Sequence, residues 1–493
     1  MMLKRIIPGI AAVFLSGSVL VGGMGRAVNE QAQSVLPATP AGERVQKFLD
    51  AYNSGMAPRL EGFFNGAISP AAAHQLSPAD RAARWTQIYE EAGKVVLKKV
   101  ESPAPDSIAI FVQGERGRLI RLGFRFTPGP EFFLMGIMIE DASPDDLAGP
   151  PAQMTQSEAL AAIEKTIDQA AAADAFSGVV IVAHRGQTLL RRARGLANRE
   201  FEVPNRLDTK FNLGSINKIF TRLAASQLIE KGKLALDDKL GRYLPDYPNK
   251  DAAARVTVRH LIEMKSGIGD FFGEKFAATP KDVFRRNADF LPMFAANPLA
   301  FEPGTQQQYS NGGYVVLGEV IARSSGTDYY DYVRKNIFEP AGMTSTDSYE
   351  ADVVVLNLAE GYTRNWDAND HPGSPRRKNS YTRPARGSSA GGGYSTAEDM
   401  LRFVNALASD KLLSPSYTDW LLNGPEPSSQ PKIAAGPRLK GNLGIAGGAP
   451  GINAALELDL QTGFTVIVLG NYDPPAATDV ARKIRRFLAA ISK

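Results

Sequence analysis

Apolar residues Val45, Phe48, Leu49 and Tyr52 recur at helical spacing, and the same period returns over residues 84–91. Four runs rich in β-branched and aromatic residues follow, at 95–100, 107–112, 119–126 and 133–139. Helices first and a meander afterwards predict a small α+β roll over residues 41–141. By element order alone it is similar to cystatin-like or nuclear-transport-factor-like rolls. No chemical motif falls within it, so the pattern predicts an accessory domain. Pro144, Gly149, Pro150 and Pro151 then mark a boundary.

Beyond that boundary the pattern predicts a helix over 155–173 and two strands, 178–184 and 188–195, turning at Arg185 and Gly186. A long, mostly helical middle with glycine-rich loops comes next. The chain closes on strands 454–458 and 463–471 and a helix over 478–491. Strands at both ends of this region predict one sheet built from both, in a domain spanning 155–493. The polar, arginine-rich stretch 367–386 reads as its main long loop.

The N-terminus changes the picture of where the chain works. Lys4 and Arg5 precede an apolar run over 6–21, and Gly22, Gly23 and Gly25 follow. That order predicts a signal peptide over residues 1–27, hence export to the periplasm or the extracellular space. Pro8, Gly9, Ser16 and Ser18 interrupt the run, which falls short of a bilayer span; membrane attachment arises only if the segment stays uncleaved. Residues 31–41 read as a linker. With 56 basic and 52 acidic residues the formal charge is +4, too small an excess on 493 residues to argue for a nucleic-acid partner. The absence of cysteine excludes disulfides, a thiolate zinc site and a cysteine nucleophile.

Three segments could carry chemistry. Ser215 and Lys218 open a predicted helix that runs to Gly232, and residues three apart share a helix face. A partly desolvated amine loses affinity for its proton and can activate a serine hydroxyl. Tyr309-Ser310-Asn311 follows a Pro303-Gly304 turn; a phenol beside an ammonium should ionise more easily and move protons, and an asparagine amide can hold a substrate amide. Gly444 to Gly451 is a glycine-rich hairpin whose backbone N–H groups could meet an oxyanion. Gly387-Ser388-Ser389-Ala390-Gly391 has the G-x-S-x-G spacing of a nucleophile elbow, but the polar, Pro384-containing residues before it are no buried strand, so it reads as a loop. His74, His184, His260 and His371 have no helical zinc spacing, and no metal is expected. Arg376, Arg377, Lys378, Arg383 and Arg386 read as a solvated loop rather than a surface for anionic polymer.

Taken in this order, from Phe176 to the C-terminus, the segments resemble the serine β-lactamase and penicillin-binding-protein superfamily, and within it the class C-like branch with its esterases and D-amino-acid peptidases. Lys233 to Asp238, Tyr243-Leu244-Pro245, Val258 to Leu261, Ser266-Gly267-Ile268, Pro340 to Met343 and Gly391 to Asp399 add to the resemblance. It implies an α+β (α/β sandwich) fold of the β-lactamase/transpeptidase-like type, an antiparallel sheet flanked by helices with a helical subdomain. It also implies Ser215 as nucleophile, Lys218 as its activator, Tyr309 as proton shuttle and Asn311 as a substrate contact. The backbone N–H groups of Ser215 and Gly448 would form the oxyanion hole, and Ile445 and Gly447 would line the substrate. The expected activity is acyl transfer to water from an ester or amide, on a small-molecule or peptide substrate, without a cofactor; the oligomeric state stays open. Two departures stand out. Where the family places Lys or His, then Thr or Gly, then Gly, this chain has Ile445-Ala446-Gly447, and Met264-Lys265 replaces the usual His-Thr. A catalytically degenerate relative that binds or senses cell-wall peptide or β-lactam is the alternative.

Overall fold

The computed structural model describes residues 35–491 apart from 69–76, 105, 128–130, 143, 149–151, 365–373 and 424–441. The expected signal peptide therefore lies outside the described residues, as do His74 and His371. Among the described residues no helix is long and apolar enough to cross a membrane. The chain divides into two compact units that meet in sequence near residue 152.

In the first unit, α1 (Pro40–Asn53), α2 (Ala57–Ala67) and α3 (Pro78–Ala92) precede four antiparallel strands. These are β1 (Val95–Ala104), β2 (Ser107–Gly114), β3 (Leu119–Phe126) and β4 (Leu134–Asp141), hydrogen-bonded in chain order. Thr39 caps α1 by accepting the Gly42 N–H at 3.2 Å. The stripe predicted from Val45, Phe48 and Tyr52 is buried, and the Phe48 ring lies 4.7 Å from Trp85 and 5.3 Å from Phe124, both edge-on. Helix α2 has no counterpart in the hydrophobic pattern. Gly62 and Gly66 lower its intrinsic propensity, but Leu60, Phe64 and Ala67 are buried on one face, and that burial outweighs the glycine cost of about 1 kcal/mol each.

The second unit holds α4 (Gln156–Ala172), then β5 (Gly178–His184) and β6 (Gln187–Arg194). Further on come α5 (Lys218–Glu230), α6 (Asn311–Ser325) and α7 (Ala397–Ala408). The unit ends with β7 (Asn442–Ala449), β8 (Ile452–Asp459), β9 (Phe464–Gly470) and α8 (Ala476–Ala489). Both chain ends contribute to one five-stranded antiparallel sheet, ordered β7-β8-β9-β5-β6, as the pattern predicted. Strand β5 lies inside that sheet and is covered on both faces, which is why its sequence is a continuous apolar run rather than an alternation. Val180 and Val182 join Ile163, Ile167, Val480 and Ile484 of α4 and α8. Val179 and Ile181 on the other face join Ile219, Phe220 and Leu223 of α5. The glycine-rich segment is one arm of a hairpin, as expected: β7 is a full edge strand that turns at Pro450-Gly451 and pairs with β8, Gly447 opposite Ala454. In the stretch 367–386, Arg377–Lys378 pairs with Tyr362–Thr363, so part of the predicted loop is a short ladder.

Candidate active site

The site forms where α5 begins, where α6 begins and where β7 passes the turn before α5. Gly214–Asn217 is a single tight helical turn that runs directly into α5, so Ser215 and Lys218 sit one above the other. Asn212 accepts the Gly214 N–H at 2.9 Å through Oδ1, and Leu213 N–H donates to the Gly393 carbonyl at 2.8 Å. Gly214 itself has φ +51°, and a side chain built on it would come within 2.9 Å of Gly448 N. A Cβ at Gly447 would overlap the Leu213 carbonyl oxygen and lie 3.0 Å from Ser215 N. Glycine at both positions is what lets two backbones meet at the serine.

Tyr309 enters from the segment leading into α6. Its hydroxyl is 2.6 Å from Ser215 Oγ. Ser310 caps α6, accepting the Gly313 N–H at 2.7 Å while its hydroxyl reaches the Ile268 carbonyl at 2.7 Å. That pair of bonds ties the start of α6 to the loop holding Ser266 to Asp270. Asn311 is the first residue of α6.

Lys218 is 5 % exposed. Its Nζ donates to Ser215 Oγ at 3.1 Å, to Asn311 Oδ1 at 2.7 Å and to the Ala390 carbonyl. It also lies 4.7 Å from the Tyr309 ring centroid. Burial strips the ammonium of water and pulls its pKa from 10.5 down to about 7, against the opposing charge of Asp270. Lys218 therefore exchanges its proton near neutral pH, as a base must. Tyr309 departs from the sequence expectation: burial pushes its phenol well above the usual tyrosine range, and the Ser215 hydrogen bond only partly offsets this. The phenol is protonated at neutral pH.

The Asn311 amide can be oriented without ambiguity. A lysine nitrogen faces Oδ1, and the Asp270 carboxylate accepts from Nδ2 at 2.7 Å. Asp270 and the Ala390 carbonyl are the two site groups that sequence reasoning missed. The Ala390 carbonyl belongs to the Gly387–Gly391 segment set aside as a loop. Ser389 Oγ lies there 2.6 Å from Asn287 Oδ1 and 2.8 Å from the Tyr314 carbonyl, its one proton shared between them, its N–H donates to Asn287 Oδ1 at 3.0 Å, and that anchorage presents the carbonyl to Lys218.

Ile445 and Gly447 share one face of β7, and Ile445 packs, partly buried, against the cluster that includes Leu213 and Ile216. Lys265 is directed elsewhere, pairing with Glu263 at 2.9 Å. Met264 packs its side chain, partly buried, against the same cluster, and its carbonyl accepts the Gln308 N–H at 2.9 Å. His260 closes a capping box with Thr257, and His184 meets the Thr462 carbonyl; both are structural. Of the basic loop residues, Arg376 meets Asp174, Lys378 meets Glu200, Arg383 meets Glu360 and Arg386 meets Glu350. Each of these four side chains thus has an acidic partner within the chain.

Comparison with known proteins places this arrangement. A family model described as beta-lactamase matches residues 163–491. Penicillin-binding protein 4* of Bacillus subtilis is 37% identical over 176 residues, 35% of this chain and 38% of that protein. Esterase EstB of Burkholderia gladioli is 35% identical over 208 residues, 39% of this chain and 53% of that one. The chain thus spans about half or less of the length of these two relatives. Among solved structures, a penicillin binding protein from Bacillus halodurans superposes with a TM-score of 0.56 at 30% identity, covering 66% of this chain and 98% of that chain. The chain belongs to the beta-lactamase family, with a β-lactamase/transpeptidase-like fold in the serine hydrolase superfamily.

Proposed function

We propose that the chain is an exported acyl hydrolase in which Ser215 forms a covalent ester with its substrate. The observation that carries this reading is the set of three partners around Lys218 Nζ. A neutral lysine has two N–H groups and one lone pair. Asn311 Oδ1 and the Ala390 carbonyl accept only, so they take the two N–H groups and the lone pair is left facing Ser215 Oγ. Lys218 accepts the hydroxyl proton as Ser215 attacks the carbonyl carbon of an ester or amide. The N–H groups of Ser215 and Gly448 stabilise the negative oxygen of the tetrahedral intermediate. The proton then passes from Lys218 through the Tyr309 hydroxyl to the leaving group, the phenol giving one proton and taking another, so it never needs to exist as phenolate. Water repeats the sequence in reverse on the acyl-enzyme, and Ser215 is regenerated. The site residues all lie beyond residue 152, and the first unit is accessory. Export rests on Lys4, Arg5 and the apolar run after them.

Ile445 sets the substrate class within this reading. An aliphatic side chain on the face of β7 that meets the Ser215 turn offers no hydrogen bond to a substrate carboxylate. Such a bond to a charged group is worth ~1.5–3 kcal/mol, so carboxylated substrates lose about ten- to a hundred-fold relative to a site that has it. Neutral esters or amides are the expected substrates. Ile445→Lys should raise kcat/KM for penicillins by that factor and leave p-nitrophenyl acetate little changed. Efficient penicillin hydrolysis by the unaltered protein would refute the assignment.

The same substitution motivates a second reading, a relative that binds cell-wall peptide or β-lactam without turning it over. Intact-protein mass spectrometry after incubation with a fluorophosphonate separates the two. A mass gain mapped to Ser215 supports the hydrolase; an unlabelled, folded protein supports the binder.

A further inference from the structure

Lys218 cannot orient itself. Its lone pair faces Ser215 only while Asn311 presents Oδ1 rather than Nδ2, since an amide turned by 180° would set an N–H against the amine. Within α6 nothing fixes that choice. It is fixed from outside the helix, where Asp270 Oδ2 accepts the Asn311 Nδ2–H at 2.7 Å and lies 3.4 Å from the Asn311 backbone nitrogen. The other oxygen, Oδ1, accepts the Phe272 N–H at 3.0 Å, which pins the carboxylate in its own loop. The loop is held against α6 by the Ser310 hydroxyl on the Ile268 and Gly269 carbonyls, at 2.7 and 2.9 Å. The result is a fixed chain of donors and acceptors, Phe272 N–H to Asp270 to Asn311 to Lys218 to Ser215.

We propose that Asp270 is a positioning residue of this site, locking the Asn311 amide so that the Lys218 amine faces Ser215 and supplying a negative charge that acts on that amine. The proposal rests on the acyl-hydrolase reading for its consequence in rate, but not for its consequence in the charge of Lys218. The groups facing Lys218 are few. From the turn before α5 comes Ser215; from the segment entering α6 and from α6 itself come Tyr309, Asn311 and Tyr314, the last with its ring 5.7 Å from Nζ. From the segment before α7 comes the uncharged Ala390 carbonyl. Asp270 is the carboxylate that acts on the amine, and it holds the Lys218 pKa up against burial. Its removal must lower that pKa further, because the ammonium loses its counter-charge.

Asp270→Asn tests both halves. An asparagine at 270 can accept from Phe272 N–H or from Asn311 Nδ2–H through its one oxygen, not both, so the Asn311 amide is no longer held one way. The first measurement is the Lys218 side-chain signal in protein carrying 13Cε-lysine, assigned by its loss in Lys218→Ala. The expected result is a midpoint below the wild-type one in Asp270→Asn, restored towards wild type in Asp270→Glu, which keeps the charge. The second is the kcat/KM profile for p-nitrophenyl acetate against pH. Its acid limb should move to lower pH by the same amount, while the plateau falls about ten- to a hundred-fold through kcat, with KM little changed. Loss of plateau activity with an unmoved Lys218 midpoint would mean that Asp270 only holds its loop, and would overturn the proposal. Inactive wild-type protein would sink the hydrolase reading, yet the lysine titration would still decide whether Asp270 governs Lys218.

Discussion

An ammonium taken out of water is costly unless it can give up its proton, and Lys218 does so near pH 7. The sign of the effect on stability follows. The folded value of about 7 lies below the 10.5 of an exposed lysine, so between the two the unfolded chain binds more protons. Stability contributed by this group rises with pH across that window, and the burial cost is complete below it. The slope approaches ~1.4 kcal/mol per pH unit for one proton. In urea titrations at pH 7 and pH 9, wild type should gain on Lys218→Met as pH rises; equal pH dependence of the two would show that Lys218 titrates normally. Ser215→Ala should abolish p-nitrophenyl acetate hydrolysis in a folded protein, and Lys218→Ala should lose nearly as much. Because the pair acts as one unit, the double variant should be no slower than either single one. A far slower double variant would assign the two residues independent roles. Ser215, Lys218, Tyr309 and Asn311 could be named from the sequence because the Ser-x-x-Lys spacing and the Tyr-Ser-Asn triplet, each weak alone, fall in the order that resembles the serine β-lactamase superfamily. The Ala390 carbonyl was not, since every residue has a carbonyl and only the fold selects one. Asp270 was one carboxylate among 52 acidic residues, with no spacing to mark it.

At the scale of elements, the regular period predicted most of the framework and failed where glycine was dense. Strands β5, β8 and β9 were foreseen from apolar runs, and the meander β1 to β4 from four runs rich in β-branched and aromatic residues. Helix α2 and strand β7 were not read as regular elements, because Gly62 and Gly66 in one and Gly444, Gly447 and Gly448 in the other dilute the periodic signal. In β7 it is Gly447 that serves the approach to Ser215. Gly447→Ala therefore makes a sharp test. Its methyl group would overlap the Leu213 carbonyl oxygen, so β7 must back away from the serine. A displacement of about 1 Å at a reacting group costs on the order of a hundred-fold in rate. Gly444→Ala, on the same strand with nothing within 4 Å of the new carbon, should leave kcat/KM near wild type. Similar losses in both variants would mean that strand propensity, not the approach to Ser215, is what the glycines protect.

At the scale of the whole molecule, the two units differ in what they can do alone. The first buries its own aromatic cluster around Phe48, Tyr52, Trp85 and Phe124 beneath a four-stranded sheet. The second carries the clusters on both faces of its five-stranded sheet, drawn from residues beyond 160. Because each core closes on residues of its own unit, each should unfold as its own cooperative transition, and calorimetry of the whole chain should resolve more than one component. The chemistry divides more unequally. Ser215, Lys218, Asp270, Tyr309, Asn311, Ala390 and Gly448 all belong to the second unit, and so does each hydrogen bond that orients them. A chain restricted to residues 153–493 should accordingly fold and hydrolyse p-nitrophenyl acetate with kcat/KM within about threefold of the full protein. A small ester needs only the serine and its immediate partners, so it reads the site without the first unit. A loss of a hundred-fold or more in the folded fragment would reverse the assignment, making the first unit part of the catalytic apparatus rather than an accessory to it.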